Sequence, residues 1–322
     1  MRKRISILLL LIVFLLTGKS SDNAPMPNFV FKAEHQNRHQ VLIRKIPDDI
    51  TFAGETVHFK TPEAYLKFER ELKVNTSNNS STRLLLKNAR IWLPEIRKIL
   101  VANKIPEDFQ YLAMAESNLN NVVSPRGAAG FWQITDGTAL HLGLEVSDEV
   151  DERYHPIRAT RAACRYFKEA YREFGNWTSA AAAYNRGIYG LKRAYNSQNV
   201  SQFYDLNLNE ETSRYLYRVL AIKDLVQNPA KYKMKQFAYR GPSYKLLEVK
   251  ESIPDLEEFS RQHNISYELL KDYNPWILKN SLTIKTPGKS YTMLIPLTST
   301  YLFGTAPEEN LAEQKDSSDI AA

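Results

Sequence analysis

A glutamate on the buried face of a predicted helix is the residue in this sequence best suited to acid–base chemistry. The face is formed by Ile105, Phe109, Leu112, Glu116 and Leu119. Steps of three and four residues place these side chains in one stripe of an α-helix that faces a core. Burial disfavours an ionised carboxylate, so Glu116 is either paired with a cation or protonated with a raised pKa. A glutamate that is protonated near neutral pH can act as a general acid.

The stripe alone leaves a structural role for Glu116 equally open. A buried glutamate can be satisfied by an arginine, and Arg161 lies on the apolar stripe of a later predicted helix. An ion pair between the two side chains would make Glu116 a structural residue.

The segment that follows the helix favours a catalytic role for Glu116 over a structural one. Glycine and proline occur between Ser124 and Gly130, and Phe131, Trp132 and Gln133 follow at once. Glycine lets a backbone approach a ligand closely. Aromatic faces with one amide suit sugars, which present apolar ring faces and rows of hydroxyl groups.

Four motifs in order carry a resemblance to a known family. They are AMAESNLN at 113–120, SPRGAAGFWQIT at 124–135, AAAAYNRG at 180–187 and ETSRYLYRVLA at 211–221. This series resembles the family 1 lytic transglycosylases, in particular the membrane-bound lytic murein transglycosylase D group. An ordered set of motifs is far more specific than any single pattern.

The resemblance implies a lysozyme-like helical domain that cleaves peptidoglycan glycan strands without hydrolysis. One glutamate, here Glu116, would protonate the oxygen between N-acetylmuramic acid and N-acetylglucosamine. It would then take a proton from the C6 hydroxyl of the muramic acid, which closes on C1. The tethered hydroxyl has a high effective molarity, so no second carboxylate is needed to activate water. The reaction needs no cofactor.

The resemblance also assigns residues around the glutamate. The predicted substrate-binding residues are Ser117, Gln133, Tyr184, Asn185 and Tyr215. Ser117 is expected to hydrogen-bond the carboxylate or the sugar, and Gln133 and Tyr184 to position the sugar and orient the glutamate. Asn185 is expected to support its turn, and Tyr215 to form a wall of the site.

Two other functions remain open at this point. A lysozyme-type hydrolase shares the helical fold and would need a water-activating carboxylate, for which the candidates are Asp136, Asp148 and Asp151. A non-catalytic peptidoglycan-binding protein would use the C-terminal region alone.

The hydrophobic periodicity predicts a mainly α-helical protein. Helices are predicted at 62–73, 82–103, 106–119, 135–142, 156–174, from Trp177 to the YNRG sequence, and 210–227. Pro94 is expected to bend or split the second of these.

The C-terminal region predicts a small α+β domain. A strand at 245–249, helices at 254–263 and 266–273, and a strand at 291–295 give the order βααβ, which resembles a LysM module that binds N-acetylglucosamine polymers. The glycine-aspartate-threonine start that is usual in such modules is replaced here by Lys250-Glu251-Ser252.

The resulting domain plan has seven parts. It comprises a signal peptide (1–21), a linker (22–37), an N-terminal extension packed on the catalytic domain (38–81), the transglycosylase domain (82–231), a linker (232–241), the LysM-like domain (242–298) and a disordered tail (304–322). The apolar run from Ile5 to Leu16 after three basic residues indicates a secretory signal, since it is short for a membrane span.

Charge and cysteine content constrain the compartment and the partners. The formal charge is +7, but residues 1–21 hold four basic residues and no acidic one, so the remainder does not indicate a nucleic-acid binder. Cys164 is the single cysteine, which excludes an internal disulfide and leaves no cysteine for lipid attachment. The resemblance implies the periplasm of a Gram-negative bacterium, and an uncleaved signal segment would attach the protein to the membrane. No metal site is predicted, although His35 and His39 have ligand-like spacing.

Overall fold

The structure, a computed structural model, describes residues 50–59, 61–77, 80–234, 242–297, 299 and 302. The predicted signal peptide and first linker, His35, His39 and the C-terminal tail lie outside the described residues. The N-terminal extension and the second linker are described in part.

Helices make up most of the described chain before residue 234. They are α1 (Pro62–Asn75), α2 (Ser80–Ala102), α3 (Gln110–Ser117), α4 (Asp136–His141), α5 (Pro156–Phe174), α6 (Trp177–Arg186), α7 (Ile188–Gln198) and α8 (Glu210–Gln227). A short hairpin of β1 (Thr51–Phe52) and β2 (Glu55–Thr56) precedes them. The mainly helical fold is as the periodicity predicts.

Local signals in the sequence account for several helix ends. Thr61 caps α1 by accepting a hydrogen bond from the backbone N–H of Ala64. Pro156 opens α5, and Gly175 ends it in the left-handed conformation with φ +70°. Asn209 caps α8 through the backbone N–H of Thr212.

The structure corrects two local expectations and adds one helix. Pro94 does not split α2, which runs without a break from Ser80 to Ala102. The helix that carries Glu116 begins at Gln110, after a 3-10 turn at Glu107–Phe109, and not at residue 106. It ends at Ser117, because Asn118 and Leu119 take positive φ values of +54° and +57°.

The added helix is α7 (Ile188–Gln198), which lies where the sequence predicts no element. This helix buries only Leu191 and Ala194 among its members. Two buried apolar side chains form too narrow a stripe for the hydrophobic periodicity to indicate a helix.

α3 lies at the centre of the helical core. Leu112, Ala113 and Met114 have no solvent exposure. The alanine run of α6, Ala180 to Ala183, is fully buried as well, and its small side chains allow neighbouring helices to approach closely. α8 packs against both α1 and α3. This packing brings residues of the fourth motif to the helix that carries Glu116.

The hairpin also contributes to the helical core. Phe52 is fully buried against Phe109, with ring centroids 5.3 Å apart. The carboxylate of Glu55 accepts hydrogen bonds from the backbone N–H groups of Trp177 (2.6 Å) and Thr178 (2.8 Å), at the N-terminus of α6. A carboxylate at this position stabilises the helix.

The C-terminal region forms the predicted βααβ domain. β3 (Tyr244–Val249) pairs antiparallel with β4 (Tyr291–Pro296), with Tyr244 opposite Pro296 and Val249 opposite Tyr291. Between the strands lie α9 (Leu256–Gln262) and α10 (Tyr267–Tyr273). The domain has its own cluster of buried side chains, which includes Leu270, Trp276 and Met293. Among the described residues, no helix combines the length and the apolar character needed to cross a bilayer.

Candidate active site

Glu116 lies in the last turn of α3, where its side chain is half-buried. Burial raises the pKa of its carboxyl group to about 7, because the ionised form loses hydration. A hydrogen bond from Tyr215 and the charge of Arg218 act in the opposite direction, and the charge of Glu211 adds to the rise. The carboxyl group is therefore neither in bulk solvent nor held in an ion pair, and a pKa of about 7 makes both of its protonation states accessible near neutral pH.

Tyr215 is the residue that holds the glutamate. It lies in α8 with 3% exposure, and its hydroxyl donates a hydrogen bond of 2.6 Å to Oε1 of Glu116. Burial raises the pKa of Tyr215 well above its usual range, so the phenol stays neutral. The alternative in which Arg161 neutralises Glu116 is wrong, because Arg161 is exposed and its charge acts on His155.

The segment after α3, residues 124–134, forms a glycine loop beside the glutamate. Ala129 bridges both Val123 and Ile134 in antiparallel pairing. Gly127 and Gly130 have φ values of +77° and +76°, a conformation that disfavours other residues. Space also requires glycine at residue 130, because a Cβ atom there would lie 2.0 Å from the carbonyl oxygen of Arg153.

Gln133 and Tyr184 both support the glycine loop. The side-chain nitrogen of Gln133 donates to the backbone carbonyls of Val122 (2.9 Å) and Gly130 (3.0 Å). The hydroxyl of Tyr184 donates to the carbonyl of Trp132 (2.6 Å). Tyr184 is close enough to Glu116 for the carboxylate charge to help raise its pKa, although burial is the larger cause.

Ser117 and Asn185 contact protein groups at the edges of the site. Ser117 is buried, and its hydroxyl donates to the carbonyl of Phe131 (2.8 Å). The side-chain oxygen of Asn185 accepts from the hydroxyl of Thr212 (3.0 Å), and its nitrogen lies 3.4 Å from Oε1 of Glu211. Ser117 thus ties α3 to the glycine loop, and Asn185 ties α6 to α8. Substrate contacts by either residue stay a prediction.

Glu211, the second carboxylate near Glu116, is not among the site residues that the sequence predicts. It is exposed and lies one helical turn before Tyr215. Its negative charge is close enough to raise the pKa of Glu116. The signal was present in the ETSRY motif, since residues four apart in a helix share a face.

The structure also places the three aspartates considered as the water-activating base of a hydrolase. Asp136 and Asp151 both pair with the guanidinium of Arg153. Asp148 is exposed. Asp136 and Asp151 are thus engaged in holding the glycine loop, so neither is arranged as a base for water. Among the described residues, no group of three or more histidine, cysteine, aspartate or glutamate side chains could hold a metal ion.

Comparisons with known proteins agree with the motifs. Residues 96–207 match the family model described as Transglycosylase SLT domain, and residues 245–299 match Soluble lytic transglycosylase C-terminal LysM-like domain. The chain is 28% identical over 197 residues to membrane-bound lytic murein transglycosylase D of Escherichia coli strain K12 and, with the same figures, to the protein of that name from E. coli O6:H1 strain CFT073. The aligned part is 59% of this chain and 43% of each relative, less than half of their length.

Proposed function

Because the chain carries an SLT domain followed by a LysM-like domain, as the motifs predict, we propose that it is a peptidoglycan lytic transglycosylase. It cleaves the β-1,4 bond between N-acetylmuramic acid and N-acetylglucosamine and leaves a 1,6-anhydromuramyl end. The observation that carries the proposal is Glu116, a half-buried carboxyl group with a pKa of about 7 and a neutral hydrogen-bond donor. Such a group can both give and take a proton near neutral pH.

The two chemical steps use the same group, the carboxyl group of Glu116. Protonated Glu116 donates its proton to the glycosidic oxygen as the bond to C1 breaks, and the N-acetylglucosamine leaves as an alcohol. The carboxylate that results takes the proton of the C6 hydroxyl as that oxygen bonds to C1. Tyr215 donates to the carboxylate in the interval, which stabilises the charge that forms there. Glu116 is thereby returned to its protonated state.

The surrounding residues shape the site for a sugar. Gln133 and Tyr184 hold the glycine loop close to Glu116 through backbone carbonyls, and the same two residues are proposed to contact the sugar. Asn185 and Ser117 are proposed to support substrate binding from the edges of the site. Asn185 is anchored on α8 through Thr212.

Hydrolysis of the same bond is the second candidate, and Glu211 is the observation that favours it. This carboxylate is exposed and close enough to Glu116 to act on its pKa. In a hydrolase it would activate a water molecule, as the second carboxylate does in most glycosidases. In a transglycosylase its charge instead helps Glu116 keep its proton.

Mass spectrometry of the fragments released from purified peptidoglycan separates these functions. We expect fragments that end in 1,6-anhydromuramic acid, which are lighter by one water than the reducing sugars that a hydrolase releases. Glu116→Gln is the matched control, since the amide keeps the shape of the side chain but cannot transfer a proton. It should fold normally and release nothing.

Reducing ends would show a hydrolase, and an inactive wild-type protein would favour a non-catalytic wall-binding role. Retained turnover in Glu116→Gln would remove the catalytic assignment.

The domain plan and the compartment follow from the same proposal. We assign residues 82–231 to the catalytic domain and residues 242–298 to the LysM-like domain, with 1–21 as an export signal. The protein then acts in the periplasm, where its substrate lies. The binding of glycan strands by the LysM-like domain is part of the proposal.

A further inference from the structure

A segment of the helical domain, residues 145–155, is paired with the C-terminal domain; we name it the strap. Val150 and Ile277 form an antiparallel bridge. The backbone N–H of Asp151 donates to the carbonyl of Trp276 (2.9 Å), and the N–H of Leu278 donates to the carbonyl of Glu149 (2.8 Å). The strap therefore adds a short strand-like pairing across the two domains.

Side chains reinforce this backbone pairing. Val150 is 1% exposed and belongs to the buried cluster of the C-terminal domain. Glu149 is 7% exposed. Its Oε1 accepts hydrogen bonds from the hydroxyls of Ser281 (2.5 Å) and Thr283 (3.0 Å). A buried carboxylate with two hydroxyl donors fixes the strap at one place on the C-terminal domain.

His155 closes the far end of the strap. Its ring stacks on Trp276 with centroids 5.3 Å apart, and its Nε2 donates to the carbonyl of Thr292 (2.9 Å). Burial lowers the pKa of His155 to about 4, so the ring is neutral and acts as a packed donor. Both ends of the segment that carries Arg153 are thus held by the C-terminal domain.

Arg153 joins the strap to the glycine loop. Its Nε (2.9 Å) and Nη2 (2.6 Å) donate hydrogen bonds to the carboxylate of Asp151, which fixes the guanidinium. Its Nη1 donates to the carbonyl of Gly127 (2.9 Å) and contacts Asp136. Its own carbonyl lies against Gly130, with no space for a Cβ atom between them. The planar guanidinium can hold several acceptors in one geometry, which an ammonium cannot.

We infer that the C-terminal domain is a structural part of the catalytic unit and that Arg153 is a positioning residue. Through the strap, the domain holds Arg153, which holds the glycine loop beside Glu116. The geometry of the loop governs how a sugar meets the carboxyl group, and small displacements there reduce the rate. The domain therefore supports turnover in addition to any glycan that it binds. This inference rests on the proposed function for its kinetic readout only.

Glu149→Ala in the full chain tests the inference, because it removes both hydroxyl contacts without touching the glycine loop. Glu149→Gln is the conservative variant, since its amide oxygen can still accept from Ser281 and Thr283. Glu258→Ala is the matched control: an exposed glutamate of the same domain, paired only with neighbours in its own helix. Two quantities are measured, the amide hydrogen exchange of residues 127–134 and the kinetics of fragment release from purified peptidoglycan.

We expect Glu149→Ala to speed exchange in residues 127–134 and to lower kcat by about tenfold with little change in KM. Glu149→Gln should recover both values, and Glu258→Ala should match the wild type. Unchanged exchange in residues 127–134 would overturn the inference. So would a rise in KM with kcat unchanged, since that pattern belongs to a domain that only binds glycan.

Arg153→Lys provides a second route if Glu149→Ala does not fold. We expect faster exchange in residues 127–134 with unchanged exchange in residues 276–283. The strap stays paired with the C-terminal domain, while the glycine loop loses the guanidinium group that joins Gly127 to Asp151. Unchanged exchange in residues 127–134 would again overturn the inference. If the wild-type protein releases no fragments, the proposed function fails, and the exchange measurements decide the positioning role without it.

Discussion

Tyr215 and Glu116 lie 99 positions apart in the chain and meet through a hydrogen bond of 2.6 Å. The donor is a buried neutral phenol, which lowers the pKa of Glu116 less than burial raises it. A buried arginine in the same place would keep the carboxylate ionised and unable to donate a proton. In the proposed mechanism, a phenol partner leaves Glu116 able to act as an acid, whereas an arginine partner would make it one half of an ion pair.

Tyr215→Phe should lower kcat and shift the pH profile. The hydrogen bond favours the carboxylate, so its loss moves the pKa of Glu116 above about 7 and moves the alkaline limb of kcat to higher pH. The loss of one hydrogen bond to a charged group should cost about tenfold in kcat. The measurement is fragment release from peptidoglycan between pH 5 and 9.

Tyr217→Phe is the control for this prediction. It removes a hydroxyl from the same helix, at a buried residue that stacks on Phe59 and does not contact the glutamate. Its pH profile should overlay that of the wild type. An alkaline limb that stays in place in Tyr215→Phe would contradict the role of this hydrogen bond.

Glu116→Gln should stabilise the protein at alkaline pH. The folded pKa of about 7 exceeds the usual 4.5, so the unfolded chain ionises first as the pH rises, and the wild type loses stability between these two values. The amide does not titrate. After allowance for partial solvent contact, the variant should gain about 2 kcal/mol in unfolding free energy at pH 8 and little at pH 4.

Urea unfolding of both proteins at the two pH values measures this difference. The same difference between the two proteins at pH 8 as at pH 4 would mean that the pKa of Glu116 is not raised in the folded protein. A gain in stability on loss of a catalytic group is common, because active sites hold groups in unfavourable surroundings.

Glu116 could be identified from the sequence because its neighbours on the stripe are local. Leu112, which shares α3 with Glu116, is fully buried, and Ile105 and Phe109, which precede α3, are buried as well. The βααβ order of the C-terminal domain was predictable for the same reason, since each element is short and strongly patterned. Patterns of this kind depend only on residues within one or two turns.

The partners of Glu116 could not be identified in this way. Tyr215 was expected only to form a wall of the site, because contact between α3 and α8 depends on how the helices pack. Arg153 and the strap lie in a segment without helical or strand periodicity, and their role depends on pairing with residue 276 and on the shape of the glycine loop. Ser117 faces a backbone carbonyl, which no spacing rule could show.

Glu71→Gln should destabilise the junction between α1 and α8. Glu71 is 1% exposed, accepts from Nε of Arg214 (2.8 Å) and lies 3.5 Å from Nε of Arg218. Removal of its charge leaves two arginines without their shared partner, which should cost about 3 kcal/mol. Glu210→Gln is the control, since that exposed glutamate also pairs with Arg214 and should cost less than about 1 kcal/mol. Equal losses of unfolding free energy in urea would contradict the buried pair.

Gly130→Ala and Gly127→Ala together test the close approach between the glycine loop and the strap. The two glycines have almost the same φ, +76° and +77°, so an alanine meets the same backbone strain at either place, about 1–2 kcal/mol. They differ in surroundings. A Cβ atom at residue 127 has no heavy atom within 4 Å, whereas at residue 130 it would lie 2.0 Å from the carbonyl oxygen of Arg153.

Gly130→Ala must therefore displace the strap or the loop, and Gly127→Ala need not. We expect Gly127→Ala to keep most of its activity and Gly130→Ala to lose about 100-fold in kcat, with a larger loss of unfolding free energy. Activity on peptidoglycan and urea unfolding of both variants measure the contrast. Equal effects would mean that strain alone accounts for these glycines, and the contact with Arg153 would then have no part in holding the loop beside Glu116.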